Sequence, residues 1–327
     1  MLFLTLIYRK EQVPQMKPKV IMPKMADTLS NNYLKEKGYD VITVPDVTEQ
    51  ALLDHPDVAA AILFVSPIPN TIYDKLPNLK VFARYGVGYD SVDANYAASK
   101  GVWVTNTPGA NAVSVAESAV SDLLLLAKRS PWISQKMREG DLKGAVHLMG
   151  RDVAGATIGI VGYGNIGQSV AKILSGFNVN VLIYNRTPRE SKYGKFVDWD
   201  TLFKESDYVT IHLAATPETE NSITAKEFAM MKSSASIINL ARGPIINEND
   251  LISALKTGQI ESAALDVFDK EPLPATSPLF DLDNVFLTPH TAAQTLEAHN
   301  RMAVGASKMI DQVLTGNTPD WPVNQPK

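Results

Sequence analysis

Short apolar, β-branched segments alternate with amphipathic segments in the first third of the chain. Candidate strands are "KVIM", "VITV", "AAILF", "KVFA" and "GVWVT", with helical patterns around residues 28 to 37 and near Glu49. Strands separated by helical stretches are typical of βαβ units, which form parallel sheets. The pattern therefore predicts an α/β domain in this part of the chain.

A long helical region and a second α/β series follow. Residues 111 to 137 predict a helix broken at Pro131, because proline cannot continue a helix. The region carries an apolar stripe typical of a core face or subunit interface: Val120, Leu123, Leu124 and Ala127. Six further candidate strands come next: "TIGIVG", "NVLIY", "YVTIHL", "ASIINL", "SAALDVF" and "NVFLTPH". Their number suits a complete doubly wound domain, followed by a last helix near residues 293 to 314.

Length and composition narrow the class of protein. A chain of 327 residues exceeds the size of a single hydrophobic core, so two domains are expected. The formal net charge of -4 leaves no basic footprint for a nucleic-acid partner. The absence of cysteine excludes disulfides, thiolate catalysis and cysteine-ligated metals, and it favours the cytoplasm.

The first residues and the metal-binding side chains add two negative expectations. The opening "MLFLTLIYRKEQVPQM" has no basic region before its short apolar run and no cleavage site, so residues 1 to 16 are predicted to be an extension outside the fold. No later apolar run is long enough to span a bilayer. No His, Asp and Glu cluster has metal-ligand spacing, so no metal is expected.

A glycine motif lies where a strand runs into a helix, in "TIGIVGYGNIGQSVAKIL". Gly162 permits a tight turn, Gly164 lets a pyrophosphate approach the backbone, and Gly167 allows the helix to pack on the strand. The helix N-terminus would meet the negative charge. This context predicts a dinucleotide site formed by Gly162, Tyr163, Gly164, Asn165, Ile166 and Gly167.

The end of the next strand bears on the choice of nucleotide. An NAD site usually has an acid about 20 residues after the glycines, but "VLIYNRTPR" places the neutral Asn185 there. Asn185 would not repel a 2′-phosphate, and Arg186 beside Thr187 offers it a charge-assisted partner. We therefore expect NADP rather than NAD. The alternative is that Asn185 bonds the NAD ribose while Arg186 and Arg189 form a solvated rim.

Charged residues follow three of the later strands. Arg242 comes after "IINL", Asp266 after "SAAL" with Glu271 close behind, and His290 after "VFLTP". Because ligands bind at the carboxyl ends of strands in open α/β sheets, these side chains can face one cleft. A guanidinium can bind a carboxylate through its planar fork, and an imidazolium can donate a proton to a group within hydrogen-bond reach. Glu271 would hold the ring and stabilise its charged form.

These motifs resemble those of the D-isomer-specific 2-hydroxyacid dehydrogenases. The resemblance rests on "GRDVAGATIGIVGYGNIGQ", "INLARGPIINENDLISAL", "AALDVFDKEPLP" and "NVFLTPHTA", and it continues through "RYGVGYDSVD" and "NTPGANAVSVAE". It implies that Arg242, Glu271 and His290 are catalytic, with Arg242 and His290 also touching substrate. It also implies that Asp266 and His212 lie near the cofactor.

The resemblance extends to the substrate residues and the assembly. It places the backbone amides of Val87 and Gly88 against the substrate carboxylate. The alternative is that the glycines of "RYGVGYDSVD" merely shape a turn. Arg84 looks like the phosphoglycerate dehydrogenase branch, where an extra cation suits a phosphorylated substrate, but it could equally form a salt bridge. Family habit and the long helix near Glu117 indicate a homodimer.

The fold implied is a pair of doubly wound parallel-sheet domains. A Rossmann dinucleotide-binding domain, residues 106 to 295, would be inserted into a flavodoxin-like substrate domain, residues 17 to 105 and 296 to 327. The function implied is a 2-keto acid reductase that forms the D-hydroxyacid with NADP or NAD. The alternatives are a D-3-phosphoglycerate dehydrogenase and a binding protein that senses NAD(P)H without turnover.

Overall fold

The chain divides into two compact units in a computed structural model that describes residues 17–326. The first unit combines the chain up to Pro108 with the chain from Asn300 onwards, and the second unit is Gly109–His299. These divisions fall a few residues beyond the boundaries expected from the sequence. The predicted extension, residues 1 to 16, lies outside the described residues.

The first unit is built on a sheet of five parallel strands. Its strands are β1 (Lys19–Pro23), β2 (Asp40–Val44), β3 (Ala60–Leu63), β4 (Val81–Arg84) and β5 (Trp103–Thr105). Its helices are α1 (Asp27–Glu36), α2 (Glu49–Leu53) and α3 (Ala94–Ser99). The strand order β2-β1-β3-β4-β5 is the flavodoxin-like order, so the predicted fold class of this unit is confirmed.

The C-terminal helix completes the first unit. The chain crosses from the second unit into the first within α11 (Leu296–Leu314), between His299 and Asn300. Ser30 Oγ donates to the Ala303 carbonyl at 3.1 Å, and Tyr39 Oη donates to Asp311 Oδ1 at 2.8 Å. The helix is therefore bonded to residues from the beginning of the chain.

The second unit is built on seven parallel strands. They are β6 (Thr157–Val161), β7 (Asn180–Tyr184), β8 (Lys195–Phe196), β9 (Tyr208–Ile211), β10 (Ser236–Asn239), β11 (Ser262–Leu265) and β12 (Val285–Leu287). The order β12-β11-β10-β9-β6-β7-β8 is that of a Rossmann fold with one added strand, which confirms the prediction. The strand order reverses between β6 and β9, where such folds bind dinucleotides. The two-residue β8 is too short to be visible in the hydrophobic pattern.

Helices cover this second sheet. They are α4 (Ala112–Lys128), α5 (Ser130–Arg138), α6 (Leu142–His147), α7 (Asn165–Leu174), α8 (Trp199–Glu205), α9 (Ala225–Met230) and α10 (Glu248–Lys256). The stripe predicted on α4 divides: Val120, Leu123 and Ala127 are buried in a core cluster with β6 and α7, and Leu124 is partly buried against it. The apolar face of α4 therefore packs mainly on α7, the helix that follows the glycine motif, and also on β10 and β11.

The long helical region breaks at Arg129, so the predicted break at Pro131 is wrong. Arg129 has φ of 53° and separates α4 from α5, while Pro131 lies in the first turn of α5. Proline is tolerated in a first helical turn because the amide that it lacks would have no partner there. The proline therefore starts the second helix, and the residue two positions earlier takes the left-handed conformation.

Candidate active site

His290 lies in the loop between β12 and α11, with a backbone conformation that is uncommon for a non-glycine residue. Its φ is 54°, and its amide donates to the Asp266 carbonyl at 2.8 Å. Such left-handed conformations persist only where the surrounding structure holds them. Here the neighbouring backbone supplies that restraint, which fixes the direction of the imidazole.

The imidazole of His290 is paired with Glu271. The two side chains meet at 2.6 Å between His290 Nδ1 and Glu271 Oε2, and Glu271 Oε1 accepts from the Phe268 amide at 3.1 Å. Burial by itself raises the pKa of Glu271. The hydrogen bond and charge of His290, with smaller help from the Phe268 amide and the Arg242 guanidinium, outweigh burial and hold that pKa below its ordinary value. Glu271 is therefore an anion that orients the ring.

The opposite ring nitrogen remains for chemistry. Within the described part of the chain, no hydrogen bond engages His290 Nε2, and 43% of the side chain is exposed. A carboxylate that accepts a hydrogen bond from Nδ1 fixes the tautomer of the ring, so that Nε2 is the nitrogen that can take or give a proton. His290 can therefore exchange a proton through Nε2.

Arg242 follows β10 in a turn that Asn239 organises. Asn239 Oδ1 accepts from the Ala241 amide at 3.0 Å, and Asn239 Nδ2 donates to the Arg242 carbonyl at 2.9 Å. Next to Arg242, a Cβ on Gly243 would lie 2.0 Å from the carbonyl carbon of Phe268. Only glycine fits this contact. The Arg242 turn can therefore pack against the turn that leads to Glu271.

Asp266 is buried beneath the His290 loop. Its Oδ1 accepts from Thr288 Oγ1 at 2.6 Å and from the Thr291 amide at 2.7 Å, and its Oδ2 accepts from the Ala292 amide at 2.9 Å. Its exposed fraction is 1%. The carboxylate of Asp266 is thus occupied by the residues on either side of His290.

The glycine turn after β6 has the shape that a dinucleotide requires. Gly162 has φ of 97°, and a Cβ there would lie 2.6 Å from the His212 carbonyl oxygen. A Cβ on Gly167 would lie 2.1 Å from the Gly162 carbonyl oxygen, so α7 packs closely on the turn. Gly164, the N-cap of α7, has open space around its Cβ position, and no side chain caps the helix. The turn and the uncapped amides fit a pyrophosphate.

The other residues of the motif contribute through their backbone and packing. The Tyr163 side chain is buried, packs edge-on against Phe196 and shares a hydrogen bond with Ser191 at 2.5 Å. Ile166 packs against the core, and α7 begins at Asn165. Tyr163 and Ile166 therefore support the turn, while the amides at the start of α7 have no side-chain cap.

Asn185 bridges the glycine turn and the loop after β7. Its Oδ1 accepts from the Tyr163 amide at 3.1 Å, and its Nδ2 donates to the Thr187 carbonyl at 2.7 Å. Arg186 and Thr187 are exposed. The hydrogen bond from the Thr216 hydroxyl, with smaller help from a backbone amide and the charge of Arg186, holds the pKa of Glu218 below its ordinary value, although desolvation acts in the opposite direction. Glu218 is therefore an acid close enough to influence Arg186.

His212 follows β9, beside the glycine turn. Its Nε2 lies 3.0 Å from Thr210 Oγ1, whereas its Nδ1 is buried without a hydrogen bond. Burial lowers the pKa of His212 to about 3, so the ring is neutral at physiological pH. A neutral imidazole with one unsatisfied nitrogen at this place suits a polar group of a bound cofactor.

In the first unit, the loop after β4 carries the predicted substrate residues. Arg84 is buried, and its Nε donates to the Gly88 carbonyl at 2.8 Å. Asn106 Nδ2 donates to the Val87 carbonyl at 2.7 Å, and Thr107 exchanges two hydrogen bonds with Gly86. These bonds use the carbonyls of the loop, which leaves its shape well defined.

Two other features of the described residues lie apart from this chemistry. A cavity of about 390 Å³ opens at the amino ends of β11 and β12, the edge opposite to His290, with Trp132 and Glu261 in its wall. No group of three or more potential metal ligands occurs within residues 17–326. No helix in that range has the length and apolarity that a membrane span needs.

The fold and the site define a nicotinamide-dependent oxidoreductase. A family model described as D-isomer specific 2-hydroxyacid dehydrogenase, NAD binding domain, matches residues 120–292. The chain is 38% identical over 323 residues to a glyoxylate reductase from Thermofilum pendens, which covers 94% of this chain and 95% of the relative. The chain therefore belongs to the D-isomer specific 2-hydroxyacid dehydrogenase family, whose members are NAD(P)-dependent oxidoreductases acting on small 2-hydroxy or 2-keto acids.

Solved structures agree with this assignment. A protein from Thermus thermophilus has a TM-score of 0.86 and 34% identity, over 93% of this chain and 99% of that chain. An NADPH-dependent glyoxylate/hydroxypyruvate reductase from Sinorhizobium meliloti, crystallised with NADP and malonate, has a TM-score of 0.82 and 26% identity, over 94% of this chain and 97% of that chain. The similarity thus extends over both units.

The sequence did not reveal two residues that shape the site. Asn239 and Gly243 hold the Arg242 turn through bonds and a close contact that exist only in the folded chain. One signal was present, because Asn239 is a polar residue directly after the two isoleucines of β10. A buried polar residue at a strand end usually bonds a neighbouring turn.

Proposed function

We propose that the chain is a 2-keto acid reductase that prefers NADPH and forms the D-hydroxyacid. The observation that carries this proposal is the His290–Glu271 pair, at 2.6 Å, in the loop after β12, with Arg242 after β10. A paired imidazole and a guanidinium at the carboxyl ends of nearby strands are suited to proton transfer and carboxylate binding. The similarity to glyoxylate reductases supports the same reaction.

In this proposal the three catalytic residues divide the work on the substrate. Arg242 binds the carboxylate and polarises the adjacent carbonyl, because its planar fork can donate two hydrogen bonds. His290 Nε2 gives its proton to the carbonyl oxygen as the C–O double bond is reduced, and takes it back in the oxidation. Glu271 keeps the ring oriented and compensates its charge. The bound reduced nicotinamide supplies the hydride to C2.

We assign the cofactor to the second unit. The glycine turn from Gly162 to Gly167 would hold the pyrophosphate through the uncapped amides at the start of α7, with Asn185, Arg186 and Thr187 at the adenosine ribose and His212 and Asp266 nearer the nicotinamide. The lack of a carboxylate at Asn185 and the exposed Arg186 support NADP. Glu218 acts against this preference, since its charge competes for Arg186.

We assign the substrate carboxylate also to the loop after β4, through the Val87 and Gly88 amides. The carbonyls of both residues are already bonded, which supports a fixed loop with amides available for a ligand. Arg84 is buried and bonded to Gly88, and this supports a role in shaping the loop over one in binding a substrate phosphate. The proposal therefore favours an unphosphorylated keto acid.

We further propose a cytoplasmic homodimer. Large apolar side chains are exposed in and after α5 and α6, at Met137, Leu142, Val146 and Met149. Contiguous exposed apolar residues of this kind mark association surfaces. A second copy of the chain is the partner that family membership supports.

The test is oxidation of NADPH and NADH, offered separately with glyoxylate, hydroxypyruvate, pyruvate, larger 2-keto acids and phosphohydroxypyruvate. We expect turnover of an unphosphorylated acid with NADPH, and a loss of roughly 10²- to 10⁴-fold in kcat for His290→Gln with cofactor affinity retained. A preference for phosphohydroxypyruvate would favour the phosphoglycerate dehydrogenase alternative. Tight cofactor binding with no turnover of any acid would favour the sensing protein.

A further inference from the structure

A polar column on α4 contacts the loop that carries His290. Ser114, Ser118 and Asp122 are spaced four residues apart and so share one face of the helix. Ser114 Oγ lies 2.8 Å from Thr295 Oγ1, and Ser118 Oγ donates to the Ala292 carbonyl at 2.9 Å. The first two residues of the column are therefore bonded directly to the segment that follows His290.

The same segment is bonded to Asp266 after β11. Asp266 accepts the amides of Thr291 and Ala292, while Ser118 takes the carbonyl of Ala292. The loop is thus held by α4 through one set of bonds and by Asp266 through another. The position of His290 depends on both.

Asp122 is the third member of the column and belongs to neither set of bonds. It is 8% exposed, and the residue next to it, Leu123, belongs to an apolar core cluster that also contains Ala264 of β11. Burial and the charge of Asp266 raise the pKa of Asp122 to about 7. A carboxyl group in this position changes its charge close to neutral pH.

The charged groups around Asp122 are few. The strands packed on α4, β10 and β11, contain no charged residue, and Asp266 directly follows β11. The single charged residue of α7, Lys172, is exposed. The charged residues of α5, Lys136 and Arg138, lie in the last turn of that helix. Next to Asp122, Asp266 is the group whose charge acts on it.

We propose that Asp122 is a positioning residue for the His290 loop. When Asp122 is neutral, the loop is undisturbed. When Asp122 is ionised, it repels Asp266 and loosens the loop. The effect is indirect, because Asp266 is the residue that holds the amides beside His290. An uncharged Asp122 adds no second negative charge under the loop. An ionised Asp122 places two carboxylates in one buried region, where their repulsion is weakly screened. The ionisation of Asp122 should therefore reduce the catalytic activity at alkaline pH.

This inference rests on the proposed function for its kinetic readout and not for its structural one. The variant is Asp122→Asn, which keeps the size of the side chain and removes its charge. The control is Glu117→Gln, since Glu117 is an exposed acid on the same helix. Two quantities are measured between pH 5.5 and 9 on the full-length protein: the kcat ratio of variant to wild type, and the amide-exchange protection factors of residues 288 to 295.

We expect the kcat ratio for Asp122→Asn to be near one at pH 6 and to rise several-fold by pH 8.5. A ratio is used because pH effects that are common to both proteins cancel in it. The protection factors of the loop should fall in the wild type as pH rises through about 7 and stay constant in Asp122→Asn. Glu117→Gln should follow the wild type in both measurements.

A loop whose protection is independent of pH in the wild type would overturn the proposal, as would the same fall in protection in Asp122→Asn. Asp122→Leu, which also removes the charge, gives the same test if the amide variant folds poorly. If no keto acid is turned over, the proposed function fails while the protection factors still decide the role of Asp122. The two failures are therefore distinguishable.

Discussion

The pairing of His290 with Glu271 determines which protonation states coexist in the site. Burial acts to raise the pKa of Glu271, but the bond and charge of His290 prevail and lower it, so Glu271 stays ionised down to acidic pH. A group whose pKa is lower in the folded than in the unfolded state stabilises the fold at pH values above its unfolded pKa. This stabilisation is lost as the pH falls through the lowered, folded-state pKa. Glu271 therefore supports His290 throughout the neutral range.

A single side chain is expected to set the nucleotide preference. Asn185→Asp would keep the bond from the Tyr163 amide and lose the bond to the Thr187 carbonyl. The new charge would repel a 2′-phosphate and attract the ribose hydroxyls of NAD. We expect the ratio of kcat/KM for NADPH to that for NADH to fall by about tenfold or more, corresponding to about 1.4 kcal/mol.

The matched control for that substitution is Asn180→Asp, an exposed position at the other end of β7. It adds the same charge to the same strand, away from the glycine turn. An unchanged nucleotide ratio in Asn185→Asp, or an equal change in both variants, would remove Asn185 as the determinant of preference.

At the scale of elements, the site consists of turns that follow adjacent parallel strands. β10, β11 and β12 lie side by side and are followed by Arg242, Asp266 and His290 in turn. Parallel strands deliver their carboxyl ends to one edge of the sheet, so three short turns can converge without a long loop. The packing of one turn on the next then sets the geometry.

The contact between the first two of these turns gives an element-scale prediction. Gly243→Ala would place a Cβ against the Phe268 backbone, which cannot move aside as a flexible side chain can. The Arg242 turn should therefore shift away, and we expect kcat/KM to fall by about tenfold or more with unchanged cofactor affinity. Steady-state kinetics and a fluorescence titration with NADPH measure the two quantities.

Gly176→Ala is the comparison variant, because its added Cβ would meet only the Ile173 carbonyl oxygen at 3.8 Å. It should have wild-type kinetics. Normal turnover by Gly243→Ala would mean that the Arg242 turn does not depend on this packing.

The elements were largely predictable from sequence, and the contacts between them were not. Most buried strands of both sheets are short runs dominated by apolar residues, such as KVIMP in β1 and TIGIV in β6, which is the pattern typical of parallel sheets. The break at Arg129 escaped the pattern because Pro131 is compatible with a first helical turn. The bond from Ser118 to the Ala292 carbonyl joins residues 174 positions apart, and no local pattern encodes such a pair.

At the scale of the whole molecule, Asp122 predicts how stability varies with pH. Its pKa is raised to about 7 in the folded chain by burial and by Asp266, against about 3.9 for an unfolded aspartate. Between these two pKa values, Asp122 holds its proton more often in the folded than in the unfolded state. The contribution of Asp122 to the free energy of unfolding therefore falls as the pH rises from about 4 to about 7. A substitution that removes the charge of Asp122 should restore the free energy of unfolding that is lost in this pH range.

We expect Asp122→Asn to unfold at a higher temperature than the wild type, with a gain that grows from pH 5 to pH 8. Differential scanning calorimetry at both pH values measures it, and Glu117→Gln serves again as the control. A gain that is equal at the two values would mean that Asp122 does not titrate in this range.

The crossing of the chain within α11 bears on how the molecule is made. During synthesis, residues 109 to 299 leave the ribosome as one continuous unit and can fold as soon as they are complete, since domains generally fold as units. The first sheet is made earlier, yet Ala303 and Asp311, which bond to its unit, follow the whole second unit in the chain. The first sheet must therefore wait until the second unit has been made before α11 can pack on it, with its apolar surface incompletely covered in the meantime.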